Sequence, residues 1–403
     1  MMKVMEPLEL PNGVELKNRF FKSAMSETMA NNRNQPNEKH MRLYHAWAKG
    51  GAGVVVTGNV MVDRNALGEP GNVVVDDERD IGMLREWARK GTVNETQLWM
   101  QINHPGKQSP KSMSKEPVAP SAVPMGDKFK GAFNPPRALT VEEISALTSK
   151  FANTARIAKK VGFTGVQIHG AHGYLVNQFL SPHDNRRDDD YGGTLANRMR
   201  FLLEIYTEIR DAVGEGYPIA LKLNSSDFKP EGFTEEESLQ VVGKMASLGL
   251  DLIEISGGNY EQPKMSTGTD SEVFFLEYAQ KLKEKVNIPV VVTGGFRSPG
   301  SMESALEKNH TDMIGIARPL ALEPQLPNQI MAGSNAEITT RRLTTGLTAL
   351  DEKIGPVVGN VYYAMQLKRI AEGKGTERHT NAWRPLLHLI TTHGSYALKP
   401  KRR

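Results

Sequence analysis

Eight short, mostly apolar segments alternate with longer segments of helical periodicity, and this alternation constrains the fold more than any other feature of the sequence. Such segments are typical of strands that are buried on both faces of a parallel sheet. They are Phe20–Ala24, Gly53–Gly58, Gln97–Ile102, Gly165–His169, Ile219–Leu223, Leu250–Ile255, Pro289–Thr293 and Asp312–Ala317. Eight strand–helix units predict a closed (β/α)8 TIM barrel of the α/β class, with an open doubly wound sheet as the alternative.

Three of the helical segments have recognisable starts. Thr140–Glu143 and Thr234–Glu237 are capping boxes, and Ser298 stands as an N-cap before Pro299.

We expect the barrel to occupy residues 1–331 and a C-terminal extension to occupy residues 332–403. The extension contains a helical patch near residues 361–370 and a basic end at residues 399–403, which we interpret as a solvated tail. It is expected to pack on the barrel or on a partner subunit, so a homo-oligomer is possible.

Composition excludes several classes of chemistry. The 403 residues include no cysteine, which excludes disulfides, thiolate zinc sites, iron–sulfur clusters and cysteine nucleophiles. The net charge of +4 comes with no basic stripe, so nucleic-acid binding is not expected. No segment approaches the roughly 18 apolar residues that span a membrane, and no secretory signal is apparent. The expectation is a cytoplasmic protein with a small-molecule substrate.

The strongest local feature is the segment from Ile168 to Gly193, IHGAHGYLVNQFLSPHDNRRDDDYGG. His169 and His172 follow a strand and are three residues apart, so a short turn directs both toward one point. They are either two neutral donors to a substrate oxygen, a metal pair, or the satisfied histidines of a strand-end turn. Tyr174 stands beside them as a phenol that could donate a proton.

The last two strands are each followed by a turn with a basic residue. Gly294 and Gly295 follow the seventh strand with Arg297 nearby, and Ala317 and Arg318 follow the eighth. In TIM barrels these two loops commonly bind phosphate through backbone N–H groups. The alternative is a pair of ordinary turns with surface charges.

Two inward-facing polar side chains lie on central strands. Lys222 shares a face with Asn224, and a buried cation of this kind needs a compensating anion. It is a structural ion pair, a Schiff-base lysine or a charge for a cofactor ring. Gln101, at the end of the third strand, offers both a donor and an acceptor, and its alternative is a satisfied core amide.

Six motifs in order resemble the Old Yellow Enzyme family of flavin-dependent NAD(P)H oxidoreductases, from about residue 5 to residue 330. They are LKNRFFKSAMSE, QINHPGKQ, IHGAHGYLVNQFLSP, RRDDDYGG, VVVTGGFRS and IGIARPL. The resemblance implies a barrel that binds FMN noncovalently at its mouth and uses NADH or NADPH as reductant. Many relatives have Arg in place of Lys222, Thr or Cys in place of Ser26, and Pro in place of Ala24.

The resemblance also implies roles for individual residues. His169 and His172 would bind the activating oxygen of an alkene substrate, and Tyr174 would protonate it. The implied FMN-binding residues are Ser23, Ala24, Met25, Ser26, Gly58, Gln101, Lys222, Gly294, Gly295, Phe296, Arg297, Ala317 and Arg318. Two other functions stay open at this point: a metal-dependent barrel hydrolase or lyase that uses the histidine pair, and a non-catalytic flavin-binding barrel.

Overall fold

Eight parallel strands close into a barrel in this structure, a computed structural model that describes residues 2–262, 275–335 and 343–393. Each strand pairs with its neighbours in the sequence, and the last pairs with the first. The strands are β1 (Phe20–Lys22), β2 (Val54–Val56), β3 (Gln97–Asn103), β4 (Gly165–Gly170), β5 (Ile219–Asn224), β6 (Leu252–Ser256), β7 (Val290–Thr293) and β8 (Met313–Ile316). The predicted TIM barrel is confirmed, and all eight predicted strands are present.

Helices pack around the outside of the barrel and continue beyond it. They are α1 (Glu38–Lys49), α2 (Ile81–Gly91), α3 (Val141–Val161), α4 (Leu175–Leu180), α5 (Leu195–Arg198), α6 (Arg200–Val213), α7 (Glu235–Ser247), α8 (Leu276–Lys283), α9 (Pro299–Glu307), α10 (Arg318–Leu322), α11 (Leu326–Met331), α12 (Thr348–Ala371) and α13 (Trp383–His393). The capping boxes at Thr140 and Thr234 are present, and Ser298 caps α9. Among the helices of the described residues, none is both long and apolar enough to cross a bilayer.

The interior of the barrel is apolar toward the N-terminal ends of the strands. Because successive side chains of a strand point to opposite faces, each strand contributes alternate residues to this interior. The apolar set comprises Phe21, Val54, Val56, Trp99, Ala220, Leu252, Val291 and Met313. A hairpin formed by Leu8–Glu9 and Glu15–Leu16 adds Leu10 and Leu16 to this cluster and closes that end.

Long loops cover the opposite end, where the strands finish. The loop after β3 contains a short parallel pair, Val118–Ala119 with Arg137–Ala138. Val60–Met61, after β2, pairs with β3 and with Val73–Val74. Of the loop after β6, residues 257–262 are described, and residues 263–274 lie outside the described ranges.

The C-terminal helices pack on one side of the barrel. Leu367 and Ala371 of α12 join the main apolar core, and Lys39 Nζ on α1 lies 3.5 Å from Glu372 Oε1. A separate apolar cluster joins α10, α12 and α13 through Leu322, Leu343, Val358, Tyr362, Ala382 and Leu386. The predicted helical patch at residues 361–370 lies within α12, whereas the basic end at residues 399–403 lies outside the described residues.

Candidate active site

A buried polar layer lies directly above the apolar interior of the barrel. Its members come from six different strands or strand ends, and all are buried except the half-buried Thr293: Ser23, Gln101, Gln167, Lys222, Glu254 and Thr293. Gln101 Nε2 donates to Gln167 Oε1 at 2.7 Å, and Ser23 Oγ lies 2.8 Å from Thr293 Oγ1. The layer forms the floor of the C-terminal mouth, which is where TIM-barrel active sites lie.

Glu254 is the anion that the buried Lys222 requires. The two residues are paired in register on β5 and β6, and Lys222 Nζ lies 3.0 Å from Glu254 Oε1. Glu254 also accepts hydrogen bonds from Gln167 Nε2 at 2.8 Å and from Thr293 Oγ1 at 2.8 Å. The sequence analysis missed Glu254. A carboxylate in an otherwise apolar strand, in phase with the inward face, is the signal that could have found it.

His169 ends β4 with its ring in the mouth. The side chain is buried, and its Nδ1 accepts the backbone N–H of Ala171 at 3.3 Å, which leaves Nε2 as the protonated nitrogen of the neutral ring. Burial, followed by the charges of His172 and Lys222, lowers the pKa of His169 well below its usual range. The ring is therefore a neutral donor at physiological pH.

His172 lies beside His169, with ring centroids 5.0 Å apart. It has a left-handed backbone, with φ of +63°, and its N–H donates to Asn224 Oδ1 at 3.2 Å. Its Nε2 lies 2.7 Å from Ser256 Oγ, so this ring already has a partner at the end of β6. Burial and the charge of Lys222 lower its pKa well below the usual range.

Tyr174 projects into the same space, and its ring centroid lies 4.8 Å from that of His169. Its hydroxyl lies 2.9 Å from the hydroxyl of Tyr260 and accepts a hydrogen bond from Asn59 Nδ2 at 3.4 Å. Burial, with Tyr260 and Glu69 adding to it, raises the pKa of Tyr174 well above its usual range. The phenol is therefore protonated. Tyr260 was not predicted, because nothing in its local sequence marks a contact with the turn after β4, two units earlier.

Two of the predicted residues, Ser26 in the turn after β1 and Gly58 just after β2, each bond to an acidic side chain. Ser26 Oγ donates to Glu69 Oε1, and burial raises the pKa of Glu69. The N–H of Gly58 donates to Glu27 Oε1 at 2.9 Å, and a Cβ on Gly58 would lie 2.0 Å from Glu27 Oε2. Neither Glu27 nor Glu69 was predicted from the sequence. The same turn includes Ala24, packed on the apolar interior of the barrel, and Met25, packed on the main core.

The loops after β7 and β8 lie side by side. The N–H of Gly294 donates to Gly315 O at 3.2 Å, and Gly294 and Gly295 have φ of +96° and +86°. A Cβ on Gly294 would meet no heavy atom within 4 Å, so the backbone here is open to a ligand. Four other predicted residues lie in these loops. Phe296 is buried, and Arg297 donates a hydrogen bond to the Phe296 carbonyl. Ala317 is the N-cap of α10, which begins at Arg318.

No cluster of three or more histidine, aspartate or glutamate side chains in the described ranges is arranged to hold a metal ion. Within those ranges the neighbours of the two histidines are Tyr174, Ser256 and Asn224 rather than carboxylates.

Fold and site together define a TIM-barrel protein with a polar, charged mouth. The sequence matches the NADH:flavin oxidoreductase / NADH oxidase family over residues 3–337, and the chain belongs to this family. It therefore uses FMN, with NADH or NADPH as the reductant, and the resemblance to Old Yellow Enzymes is confirmed.

Two curated fungal relatives are similar over most of this chain. This chain is 38% identical over 354 residues to the NADH-dependent flavin oxidoreductase iliE of Neonectria sp. (strain DH2). The aligned region covers 80% of this chain and 46% of that protein. The chain is 37% identical over 356 residues to iliE of Hypocrea jecorina (strain QM6a), covering 81% of this chain and 88% of that one. The chain thus spans about half the length of the Neonectria protein.

Solved structures share the barrel. A complex of 2-naphthoyl-CoA reductase with 2-naphthoyl-CoA has a TM-score of 0.78 at 27% identity and covers 82% of this chain and 52% of that one. An Old Yellow Enzyme homologue from Zymomonas mobilis has a TM-score of 0.71 at 23% identity, covering 84% and 95%. The second likeness is one of fold alone.

The residues present fit FMN at two places. The polar layer offers an amide at Gln101 and an ammonium at Lys222, groups that complement the polar edge of a flavin ring. The open, left-handed backbone at Gly294 suits a phosphate, which needs close approach to main-chain N–H groups.

Proposed function

We propose that this protein is an ene-reductase, which reduces alkenes activated by a carbonyl or nitro group. The observation that carries the proposal is that a neutral histidine donor, His169, and a protonated phenol, Tyr174, lie side by side after β4 with ring centroids 4.8 Å apart. When bound, FMN accepts a hydride equivalent from NADH or NADPH and passes it to the β-carbon of the alkene.

The cofactor would be held by residues around the mouth. Gln101 and Lys222 would contact the ring, with the turn after β1 lining it at Ser23, Ala24, Met25, Ser26 and, from the next strand, Gly58. Lys222 is held in place by Glu254 at 3.0 Å, so its ammonium is oriented before the cofactor binds. The phosphate would lie on the loops after β7 and β8, which contain Gly294, Gly295, Phe296, Arg297, Ala317 and Arg318.

The substrate oxygen would accept a hydrogen bond from His169 Nε2. His172 would join it when that oxygen replaces Ser256 Oγ, which lies 2.7 Å from His172 Nε2. Hydrogen bonds to the oxygen draw electron density from the alkene and make the β-carbon electrophilic. Tyr174 would then give its proton to the α-carbon, a form of general-acid catalysis that contributes about 100- to 10,000-fold.

The test separates the two half-reactions of the FMN-loaded protein by anaerobic stopped flow. NADH or NADPH should bleach the flavin, and 2-cyclohexenone should restore its colour. Tyr174→Phe should leave the first step nearly unchanged and slow the second about 100-fold or more. Tyr206→Phe is the matched control, because Tyr206 bonds to the Leu248 carbonyl at 3.0 Å on the outer helix α6. Equal slowing of both steps by Tyr174→Phe, or a flavin that the enone does not reoxidise, would refute the proposal.

A further inference from the structure

Tyr260 makes a hydroxyl-to-hydroxyl contact with the proposed proton donor. The two oxygens are 2.9 Å apart, and the rings meet edge to face with centroids 6.0 Å apart. Tyr174 is 6% exposed, whereas Tyr260 is only partly buried. Tyr260 is therefore the more exposed of the two phenols.

A buried phenol that gives away its proton needs a route to another one. The phenolate left on Tyr174 would be costly in this desolvated position unless a hydrogen-bond donor stabilised it. Asn59 Nδ2, at 3.4 Å, can stabilise the anion, but an amide N–H does not transfer a proton at this pH. Tyr260 can do both. Burial raises the pKa of Tyr260 to about 12, so it too is protonated at rest.

The position of Tyr260 is set by contacts on both sides of it. Asn259 Oδ1 accepts the backbone N–H groups of Glu261 at 2.9 Å and Gln262 at 3.0 Å, which fixes a tight turn. Glu261 is held by the backbone N–H of Gly126 at 2.6 Å and by Lys229 Nζ at 3.0 Å. The turn is thereby tied to the loops after β3 and β5, so the hydroxyl contact does not depend on one flexible loop.

We propose that Tyr260 completes a two-tyrosine proton relay, passing a proton to Tyr174 as Tyr174 protonates the substrate. The proposal rests on the proposed ene-reduction. The C–H bond forms at the α-carbon as the O–H bond of Tyr174 breaks, and the O–H bond of Tyr174 re-forms as that of Tyr260 breaks. Tyr260 recovers its proton from water. The substrate gains one hydride from the reduced flavin and one proton from the solvent, and the protein is unchanged.

The experiment measures reoxidation of the reduced, FMN-loaded enzyme by 2-cyclohexenone in mixtures of H2O and D2O. In the wild type the rate should depend on the deuterium fraction along a curve, because two protons move in one step. Tyr260→Phe should slow reoxidation about tenfold or more and make this dependence linear, with flavin reduction by the nicotinamide unchanged. Tyr206→Phe should resemble the wild type. FMN content and melting temperature show that each variant is folded.

The wild-type measurement needs no variant, so a linear dependence in the wild type overturns the relay by itself. An unchanged rate in Tyr260→Phe also overturns it. Failure of the proposed function has a different signature, since then Tyr174→Phe would not selectively slow reoxidation. Slowing by Tyr174→Phe without slowing by Tyr260→Phe refutes the relay and leaves the proton donor in place.

Discussion

The floor and the wall of the mouth are built in different ways. The floor is the polar layer of the strands, in which Lys222 and Glu254 are neighbours because the sheet register pairs them. The wall is the set of loop residues around Tyr174, and its contacts join loops that are far apart in the chain. The hydroxyls of Tyr174 and Tyr260 meet across 86 positions of sequence. The Lys222–Glu254 ion pair is held by strands, and the paired phenols of Tyr174 and Tyr260 are held by loops.

The wall has its own ionic cluster behind the tyrosines. Lys107 Nζ lies 2.8 Å from Asp184 Oδ1, and Lys229 Nζ lies 3.7 Å from the same oxygen and 3.0 Å from Glu261 Oε2. The pKa of Asp184 is held well below its usual range by the hydrogen bond from His183 and by these two lysines, although burial opposes them. The cluster therefore joins the loops after β3, β4, β5 and β6.

The largest loss of stability should come from removing the carboxylate of Glu254 from the floor. Glu254→Gln leaves the ammonium of Lys222 buried without its carboxylate, which should lower the free energy of unfolding by about 3–5 kcal/mol. Urea unfolding at a fixed excess of FMN measures it. Glu277→Gln, on the exposed side of α8, is the control and should cost less than about 1 kcal/mol. The double change Glu254→Gln with Lys222→Met should regain part of the loss; a double variant as unstable as the single one would contradict the ion-pair explanation.

The next effect is a loss of stability at low pH, and it should come from the buried His104 in the loop after β3. Burial lowers its pKa from 6.5 to about 4, and its Nδ1 accepts the N–H of Gly106 at 3.1 Å. As pH falls from 6.5 to 4 the unfolded chain binds a proton that the folded protein does not, so stability decreases. The difference amounts to about 3 kcal/mol.

The variant His104→Asn keeps an acceptor for Gly106 and removes the titrating ring. Its free energy of unfolding should fall less than that of the wild type between pH 6.5 and pH 4, measured by urea unfolding across this range. His45→Asn removes a half-buried histidine from α1 and serves as the control. Parallel pH curves for wild type and His104→Asn would show that the acid sensitivity has another source.

The smallest loss of stability should come from removing Lys107 from the ionic cluster of the wall. Lys107→Met removes one partner of Asp184, which keeps Lys229 at 3.7 Å and His183 at 2.6 Å, so the cost should be about 1–3 kcal/mol. Lys130→Met, which removes an exposed pair with Asp127, should change little. Unfolding of both variants measures the difference. A loss from Lys107→Met as large as that from Glu254→Gln would mean that floor and wall are equally dependent on buried charge.

Much of the fold was predictable because it is encoded locally. The apolar strands, the capping boxes at Thr140 and Thr234 and the N-cap at Ser298 each depend on a few adjacent residues. His169, His172 and Tyr174 were predictable as a group for the same reason, since they share one short turn. Glu254, Glu69 and Tyr260 were not identified, because the partner of each lies on another strand or loop and is reached only in the folded protein.

The sequence by itself determined the class of architecture, the absence of cysteine chemistry and the presence of two histidines and a tyrosine after the fourth strand. These follow from residue type and periodicity, which act over a turn or a strand. Only the tertiary structure decided which anion neutralises Lys222, which side chain bonds to Ser26 and which phenol meets Tyr174. Closure of the sheet brings different strands and loops to one mouth, and burial there changes the protonation behaviour of groups whose ordinary chemistry the sequence had already supplied.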